Sequence, residues 1–219
     1  MSPRLPIGVL ISGGGTNLQA IIDAIESGAL RAEIRIIFSN TSDAYGLVRA
    51  KRHSLPTAVL SHTDFETREA FDQAIVAVLK DNDVELVALA GFTRLLSPVF
   101  IRAFPQRILN IHPALLPAFP GLHAQHQAVA RGVRIAGATV HLVDEHMDHG
   151  PIVMQAAVPV YPDDTQDSLS ARILIQEHRI YPAAIGLFAE GRVQIQDGKV
   201  IVRDERRQPQ NAFQSPDSV

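Results

Sequence analysis

Pro6-Ile7-Gly8-Val9-Leu10-Ile11-Ser12-Gly13-Gly14-Gly15-Thr16-Asn17-Leu18-Gln19-Ala20-Ile21-Ile22 is the stretch that decides the fold. The apolar, β-branched run from Pro6 to Ile11, closed by glycines, predicts a buried strand. Leu18, Ile21, Ile22 and Ile25 then recur at i, i+3, i+4 and i+7, the apolar stripe of a helix. The pattern repeats downstream. Residues 34–38 read as a second strand, 46–52 as a short helix and 57–60 as a third strand. Thr63 with Glu66 three positions later fits a capping box. It predicts a helix that sets Phe71, Ala74, Ile75, Val78 and Leu79 on one face. Residues 86–91 are a continuous apolar run, hence a central strand, and 97–104 a short helix leading to a strand at 107–112. Alternating units of this length predict an α/β fold: a doubly wound, mostly parallel sheet flanked by helices. Ligands of such sheets bind beyond the carboxyl ends of the strands. Three ends stand out: residues 12–17, 91–96 and 110–113.

The second half is less regular. Residues 113–121 hold Pro113, Pro117, Pro120 and Gly121, a stiff loop. Residues 138–143 and 152–160 read as strands. A long helical pattern over 168–189 carries Pro182, where a kink or break is expected. Asp197-Gly198 between two short apolar alternations predicts a hairpin. The chain beyond Arg203 is polar and reads as a disordered tail over 204–219, leaving one domain over 1–203.

Composition narrows the function. The chain has 219 residues, 46% hydrophobic and 20% charged, a globular and not a disordered profile. A net charge of -3 excludes the strongly basic footprint of a dedicated nucleic-acid binder. With no cysteine, thiolate metal sites and cysteine nucleophiles are excluded. No apolar run approaches the ~18 residues of a membrane span, and the first is too short for a signal peptide. A cytoplasmic protein without membrane or nucleic-acid partners is expected.

Four motifs carry chemistry. Ser12 to Asn17 lie between a strand and a helix, where glycine amides and the helix N-terminus favour an anion. The dinucleotide fingerprint would need a glycine at Leu18, and the Gly-Lys-Ser/Thr of a P-loop is absent, so a monophosphate fits better. A tight turn without a ligand is the other reading. Asn110 and His112, two apart on a strand, project to one face, and Pro113 biases His112 to extended geometry. They are either an oxyanion-stabilising pair or a structural histidine beside an asparagine. Asp144-Glu145-His146-Met147-Asp148-His149 is an acidic, histidine-bearing loop, from which Asp148 could orient His112, or a solvated surface. Glu177 lies on the apolar face of its helix. It needs a partner: Arg172, Arg179, or a ligand amine or hydroxyl. Nine histidines include His123/His126 at i, i+3 and His141, His146 and His149 near one another. No His-Glu-x-x-His occurs and no ligand set converges by spacing, so no metal is expected. No Gly-x-Ser-x-Gly nucleophile motif is present.

Together these motifs resemble the phosphoribosylglycinamide formyltransferases, folate-dependent enzymes of purine synthesis. The resemblance runs through residues 11–22, Phe38-Ser39-Asn40, residues 90–98, residues 109–117 and Gln176-Glu177-His178, and spans roughly residues 5 to 200. It implies a Rossmann-like formyltransferase fold with an N-terminal ribonucleotide-binding part and a C-terminal folate-binding and catalytic part. The implied reaction is formyl transfer from 10-formyltetrahydrofolate, a co-substrate, to the amine of glycinamide ribonucleotide. The catalytic asparagine, histidine and aspartate fall on Asn110, His112 and Asp148. The glycine-rich loop (Gly13, Gly14, Gly15, Thr16, Asn17) falls on the substrate phosphate, with Glu177 near the substrate. Folate contacts fall on Arg68, Thr93, Arg94, Leu95, Leu96, Asn110, Asp144, Glu145, His146, Met147 and Asp148. Thr93 stands where a methionine is common, Ala114 where serine is usual, and His149 where a small residue follows the aspartate. A monomer or homodimer acting on small molecules is expected. There are three rival readings. A methionyl-tRNA formyltransferase-like enzyme would add a C-terminal domain. A formyltetrahydrofolate hydrolase would add an N-terminal one. A non-catalytic phosphate-binding module would need the loop alone.

Overall fold

The computed structural model describes residues 3–205. Seven strands, β1 (Leu5–Ile11), β2 (Ala32–Ser39), β3 (Thr57–Val59), β4 (Leu86–Leu89), β5 (Ile108–His112), β6 (Ile135–Leu142) and β7 (Ile152–Pro159), form one sheet in the order β3-β2-β1-β4-β5-β6-β7. The pairs from β3 to β5 are parallel; β6 runs antiparallel to both β5 and β7. Six helices connect or cover the strands: α1 (Thr16–Glu26), α2 (Tyr45–Arg52), α3 (Arg68–Asp81), α4 (Pro98–Ala103), α5 (Ala124–Arg131) and α6 (Gln166–Ala189). A hairpin of β8 (Val193–Gln196) and β9 (Lys199–Val202) turns at Asp197-Gly198, as its sequence requires. No helix among the described residues is long and apolar enough to cross a membrane.

The two-residue period of the strands sorts the core into two layers. Ile7, Val9 and Ile11 of β1 and Leu86 and Ala88 of β4 join Leu18, Ile21 and Ile22 of α1 and Ile173, Ile180 and Ile185 of α6 on one face. Leu10, Val87 and Leu89 point the other way, against Phe71, Ile75 and Leu79 of α3 and Phe100 of α4. The chain thus leaves β1 toward one layer and β4 toward the other, although the two strands are hydrogen-bonded neighbours. A crevice opens between their carboxyl ends.

The same alternation places the site residues. Leu109 and Ile111 of β5, and Ala138, Val140 and Leu142 of β6, face the α1/α6 layer. Asn110, His112, Thr139 and His141 therefore share the opposite face. There the stiff loop 113–121 roofs the sheet. The Leu116 amide donates to Thr139 Oγ1 at 3.0 Å, and that hydroxyl donates to the Ala114 carbonyl at 2.6 Å. Gln155 of β7 donates to the Leu116 carbonyl and to Thr139 Oγ1.

Several expectations need correction. Thr63 opens no helix: it sits in a 3-10 turn, His62–Asp64, capped by Ser61. Helix α3 starts at Arg68, where Thr67 accepts from the Ala70 amide. The true cap was concealed because the Thr63–Glu66 spacing mimics a capping box one turn early. Helix α5 was unforeseen; its buried positions are only Ala124 and Ala128, too little apolar surface to register as a stripe. Helix α6 is not broken at Pro182, because Ile180, Tyr181, Ala184 and Ile185 bury around the proline and hold the segment in place. At the start of the expected tail, the Asp204 carbonyl accepts from Arg192 Nη2. Residues 206–219, the rest of that tail, lie outside the described residues.

Tyr181, wholly buried on α6, donates its hydroxyl to the carbonyls of Leu89 (2.9 Å) and Leu109 (3.0 Å), bridging the ends of β4 and β5. Burial raises this phenol well above its ordinary pKa, so it stays a donor. Tyr181→Phe leaves two strand carbonyls without that donor. The expected loss is about 1–3 kcal/mol of stability, read as a lower urea midpoint with an unchanged denaturant slope.

Candidate active site

Ser12 knots the crevice at the strand ends. Its amide donates to the Gly91 carbonyl (3.1 Å), its hydroxyl to Asn40 Oδ1 (2.6 Å), and its Oγ accepts from the Thr93 amide (3.0 Å). The ends of β1, β2 and β4 are thereby fixed to one another. Gly15 caps α1 with a left-handed backbone, φ 67°. A Cβ there would lie 2.7 Å from the Gly46 Cα, and one on Gly46 would meet Ile11, so only glycines let α2 close on the loop. Gly13 and Gly14 face open space. Beside them a cavity of about 370 Å³ is lined by Thr16, Gln19, Ala20, Asp23, Arg49 and His178. Arg49 donates Nε to the Gly14 carbonyl (2.9 Å) and Nη1 to Gln19. Burial, aided by the Arg49 charge, pushes the His178 imidazole below its ordinary pKa. A cation, a helix N-terminus and a glycine turn converge there, a setting for an anion.

Asn17, in the first turn of α1, donates Nδ2 to Glu177 Oε2 of α6 at 2.7 Å. Both side chains are buried, and Asn17 Oδ1 has no partner. The expectation of Arg172 as a partner for Glu177 is overturned: Arg172 forms a two-pronged pair with Asp164 at 2.8 and 2.9 Å. Burial pushes the Glu177 carboxyl above its ordinary pKa, and the Asn17 bond offsets this only in part.

The third group gathers on β5, β6 and the loop after β6. Asp148 lies with Oδ2 3.5 Å from His112 Nδ1 and Oδ1 3.6 Å from His141 Nε2. Its Oδ2 also accepts from the Gly121 amide at 2.7 Å. Burial pushes the carboxyl up; the contact with His141, the Gly121 amide and the electrostatic pull of His112 and His141 outweigh it and hold it low. The backbone of Asp148 is left-handed, φ 50°, a conformation that aspartate tolerates better than most residues. His112 Nε2 donates to the Phe119 carbonyl at 2.8 Å; a carbonyl only accepts, which places a proton on Nε2. Asn110 Nδ2 lies 3.1 Å from His141 Nε2 directly across the β5–β6 ladder.

The remaining sequence-derived positions lie on other segments or elsewhere on the same loop. Thr93, Arg94, Leu95 and Leu96 follow β4. Thr93 is fixed by Ser12, the Arg94 guanidinium sits over the Phe71 ring, and Leu95 is exposed. Glu145 and Met147 are exposed on the loop after β6; Met147 Sδ packs near Gly121. Arg68 comes from the opposite helical layer to α1 and α6, with its guanidinium 3.5 Å from Glu69. Sequence reasoning missed His141, Arg49 and the anchoring role of Ser12. His141 carried a usable signal, the alternation Thr139-Val140-His141 in a strand, but its place opposite Asn110 depends on an antiparallel register that no local pattern reveals.

The Glu177 carboxyl titrates with its folded pKa raised. Its favourable contribution is complete below its ordinary value of 4.5 and is lost as pH rises through the folded value. Glu177→Gln removes the buried charge and offers an amide to the unpartnered Asn17 Oδ1. The variant should gain about 1 kcal/mol at neutral pH. Urea midpoints taken upward from pH 4.5 should show that gain growing with pH until the carboxyl of the folded protein has ionised.

Comparison with known proteins gives the family. A formyl transferase family model matches residues 5–185. The phosphoribosylglycinamide formyltransferase of Escherichia coli strain K12 is 43% identical over 202 residues, covering 92% of this chain and 95% of that protein. The structure of glycinamide ribonucleotide transformylase 1 from Symbiobacterium toebii superposes with a TM-score of 0.91 at 51% identity, covering 92% of this chain and 95% of that one. A formyltetrahydrofolate deformylase from Pseudomonas syringae pv. tomato superposes at 0.86 but is only 25% identical, with 93% of this chain and 67% of that one covered. With the family model spanning most of its length, the chain belongs to the formyl transferase family.

Proposed function

We propose that this protein transfers a formyl group from 10-formyltetrahydrofolate to the amine of glycinamide ribonucleotide, as a phosphoribosylglycinamide formyltransferase. The observation that carries the reading is the convergence of Asp148 on His112 and His141, with Asn110 alongside; the glycine loop suited to a phosphate follows β1, two strands away in the same sheet. Relatives and solved structures named for this reaction match at 36% to 51% identity, against 25% for the deformylase, which favours transfer over hydrolysis.

The parts of the crevice divide the work. Gly13, Gly14, Gly15, Thr16 and Asn17 hold the substrate phosphate through amides and the α1 terminus, with Arg49 supplying charge. Glu177 accepts from a ligand hydroxyl or amine. Arg68, Thr93, Arg94, Leu95, Leu96, Asp144, Glu145, His146 and Met147 line the folate side. The residues suit that co-substrate, because exposed Leu95 and Met147 offer apolar faces to a flat ring while Asn110 and Asp148 supply polar ends. Folate brings the one-carbon unit; the protein brings position and electrostatics. Asn110 donates an amide hydrogen to the oxygen that becomes negative when the amine attacks. His112 adds a second donor there once Nε2 leaves the Phe119 carbonyl, so loop 113–121 must yield as substrate binds. Asp148 orients His112 from its Nδ1 side and helps carry the proton lost by the attacking amine to the folate nitrogen, which leaves as its bond to the formyl carbon breaks. One domain, with its ribonucleotide part before its folate part, acts in the cytoplasm as a monomer or homodimer, without nucleic acid or membrane.

Asp148→Asn keeps the shape and removes the charge. Turnover should fall about 100–1000-fold, the scale of losing an oxyanion-stabilising group, while calorimetry should show ribonucleotide affinity nearly unchanged. Turnover is followed by the appearance of deformylated folate. Folate deformylated equally well without ribonucleotide would replace transfer with hydrolysis.

A further inference from the structure

The loop that carries Asp148 holds a second group of side chains with no part in the chemical step laid out above. Asp144 Oδ2 lies 2.8 Å from His149 Nδ1, and Asp144 Oδ1 lies 3.9 Å from His146 Nδ1. The two imidazole rings are 5.2 Å apart. One ligand atom from each of the three residues lies within 4.8 Å of the others. Sequence spacing alone showed no converging set; the turn of the loop makes one.

We propose that Asp144, His146 and His149 form a binding site for one divalent transition-metal ion of the zinc class, clamped on the loop that bears Asp148.

Four features carry this. The donor set is two imidazoles and a carboxylate, which selects zinc or a neighbouring transition metal over magnesium or calcium. Ligand atoms on a tetrahedral zinc, with bonds of ~2.0–2.1 Å, stand ~3.3 Å apart. The carboxylate-to-imidazole separations of 2.8 and 3.9 Å, made to different oxygens of Asp144, fall on either side of that spacing, and all three donor atoms lie within 4.8 Å of one another. Both histidines are exposed, with side chains 77% and 70% accessible, leaving room for an ion and for water in the open positions. The carboxylate is already oriented. Its Oδ1 accepts from the His146 amide at 2.9 Å. An ion here would tie residue 144 to residue 149 and stiffen the segment that must present Asp148. Zinc would then act as a brake on the enzyme, a consequence that rests on the proposed reaction.

The test titrates zinc chloride alone into the metal-free full-length protein by calorimetry, and in parallel follows formyl transfer. Wild type should bind one zinc ion per chain, and His149→Gln, an exposed residue outside the reaction, should bind at least ~10-fold more weakly with its zinc-free turnover intact. Zinc should slow wild type, with recovery on chelation, and spare His149→Gln. No stoichiometric binding, or wild-type affinity in both His149→Gln and His146→Gln, would place zinc elsewhere, on His123 and His126 for instance, and overturn the site. Displacement of zinc by equimolar magnesium would overturn it as well. Should no formyl transfer be detectable, the reaction fails while calorimetry still decides the metal site. Equal inhibition of wild type and variant would remove the brake.

Discussion

Everything at the site depends on one constraint of connectivity: β1 and β4 lie side by side, yet the chain leaves them toward opposite helical layers. No connection can cross the gap between their ends, so the polypeptide leaves a crevice there without having to carve one. Ser12 then turns an opening into a site. With one amide and one hydroxyl it fixes the glycine loop after β1, the end of β2 and the stretch after β4. The loop suited to an anion and the loop assigned to folate are thereby held in register by a single small residue.

The electrostatics of the crevice divide into two carboxylates with opposed environments. Asp148 is partly buried but supplied with donors, so it keeps its charge. Glu177 is buried with one donor, and its charge is costly until something else arrives. Such a pairing of a settled and an unsettled acid is what a two-substrate site needs. One group organises the imidazoles before binding, and the other rewards a ligand able to complete its hydrogen bonds. His112 is held ready by Phe119 on one nitrogen and Asp148 on the other, so the ligand-free state spends its donors internally.

Much of the fold was legible because its signals are local. The strand–glycine–helix stretch from Pro6 to Ile22, the apolar run at 86–89 and the Asp197-Gly198 turn each contain their own instruction. The parts that were misread depend on contacts across the molecule. The apparent capping box at Thr63 is locally plausible and loses to Thr67. Pro182 is a helix breaker that packing overrides. Alanine-faced α5 has almost no pattern to read. The same division holds at the site. Asn110 and His112 share a face by strand geometry alone. Their meeting with Asp148, the insertion of His141 opposite Asn110, and the partnership of Glu177 with Asn17 across 160 positions of chain needed the folded molecule.

The antiparallel addition of β6 and β7 has a further effect. Without it β5 would be the outer margin of the sheet, and the strand bearing Asn110 and His112 would show unpaired amides to any passing chain. Instead the exposed margins are β3, only three residues long, and β7, which is bracketed by Pro151 and Pro159. Packing of β9 against β7 covers part of that second margin. The strand bearing Asn110 and His112 is thus kept interior, and the risk of unwanted strand-to-strand self-association is moved to borders that are short, proline-interrupted or shielded.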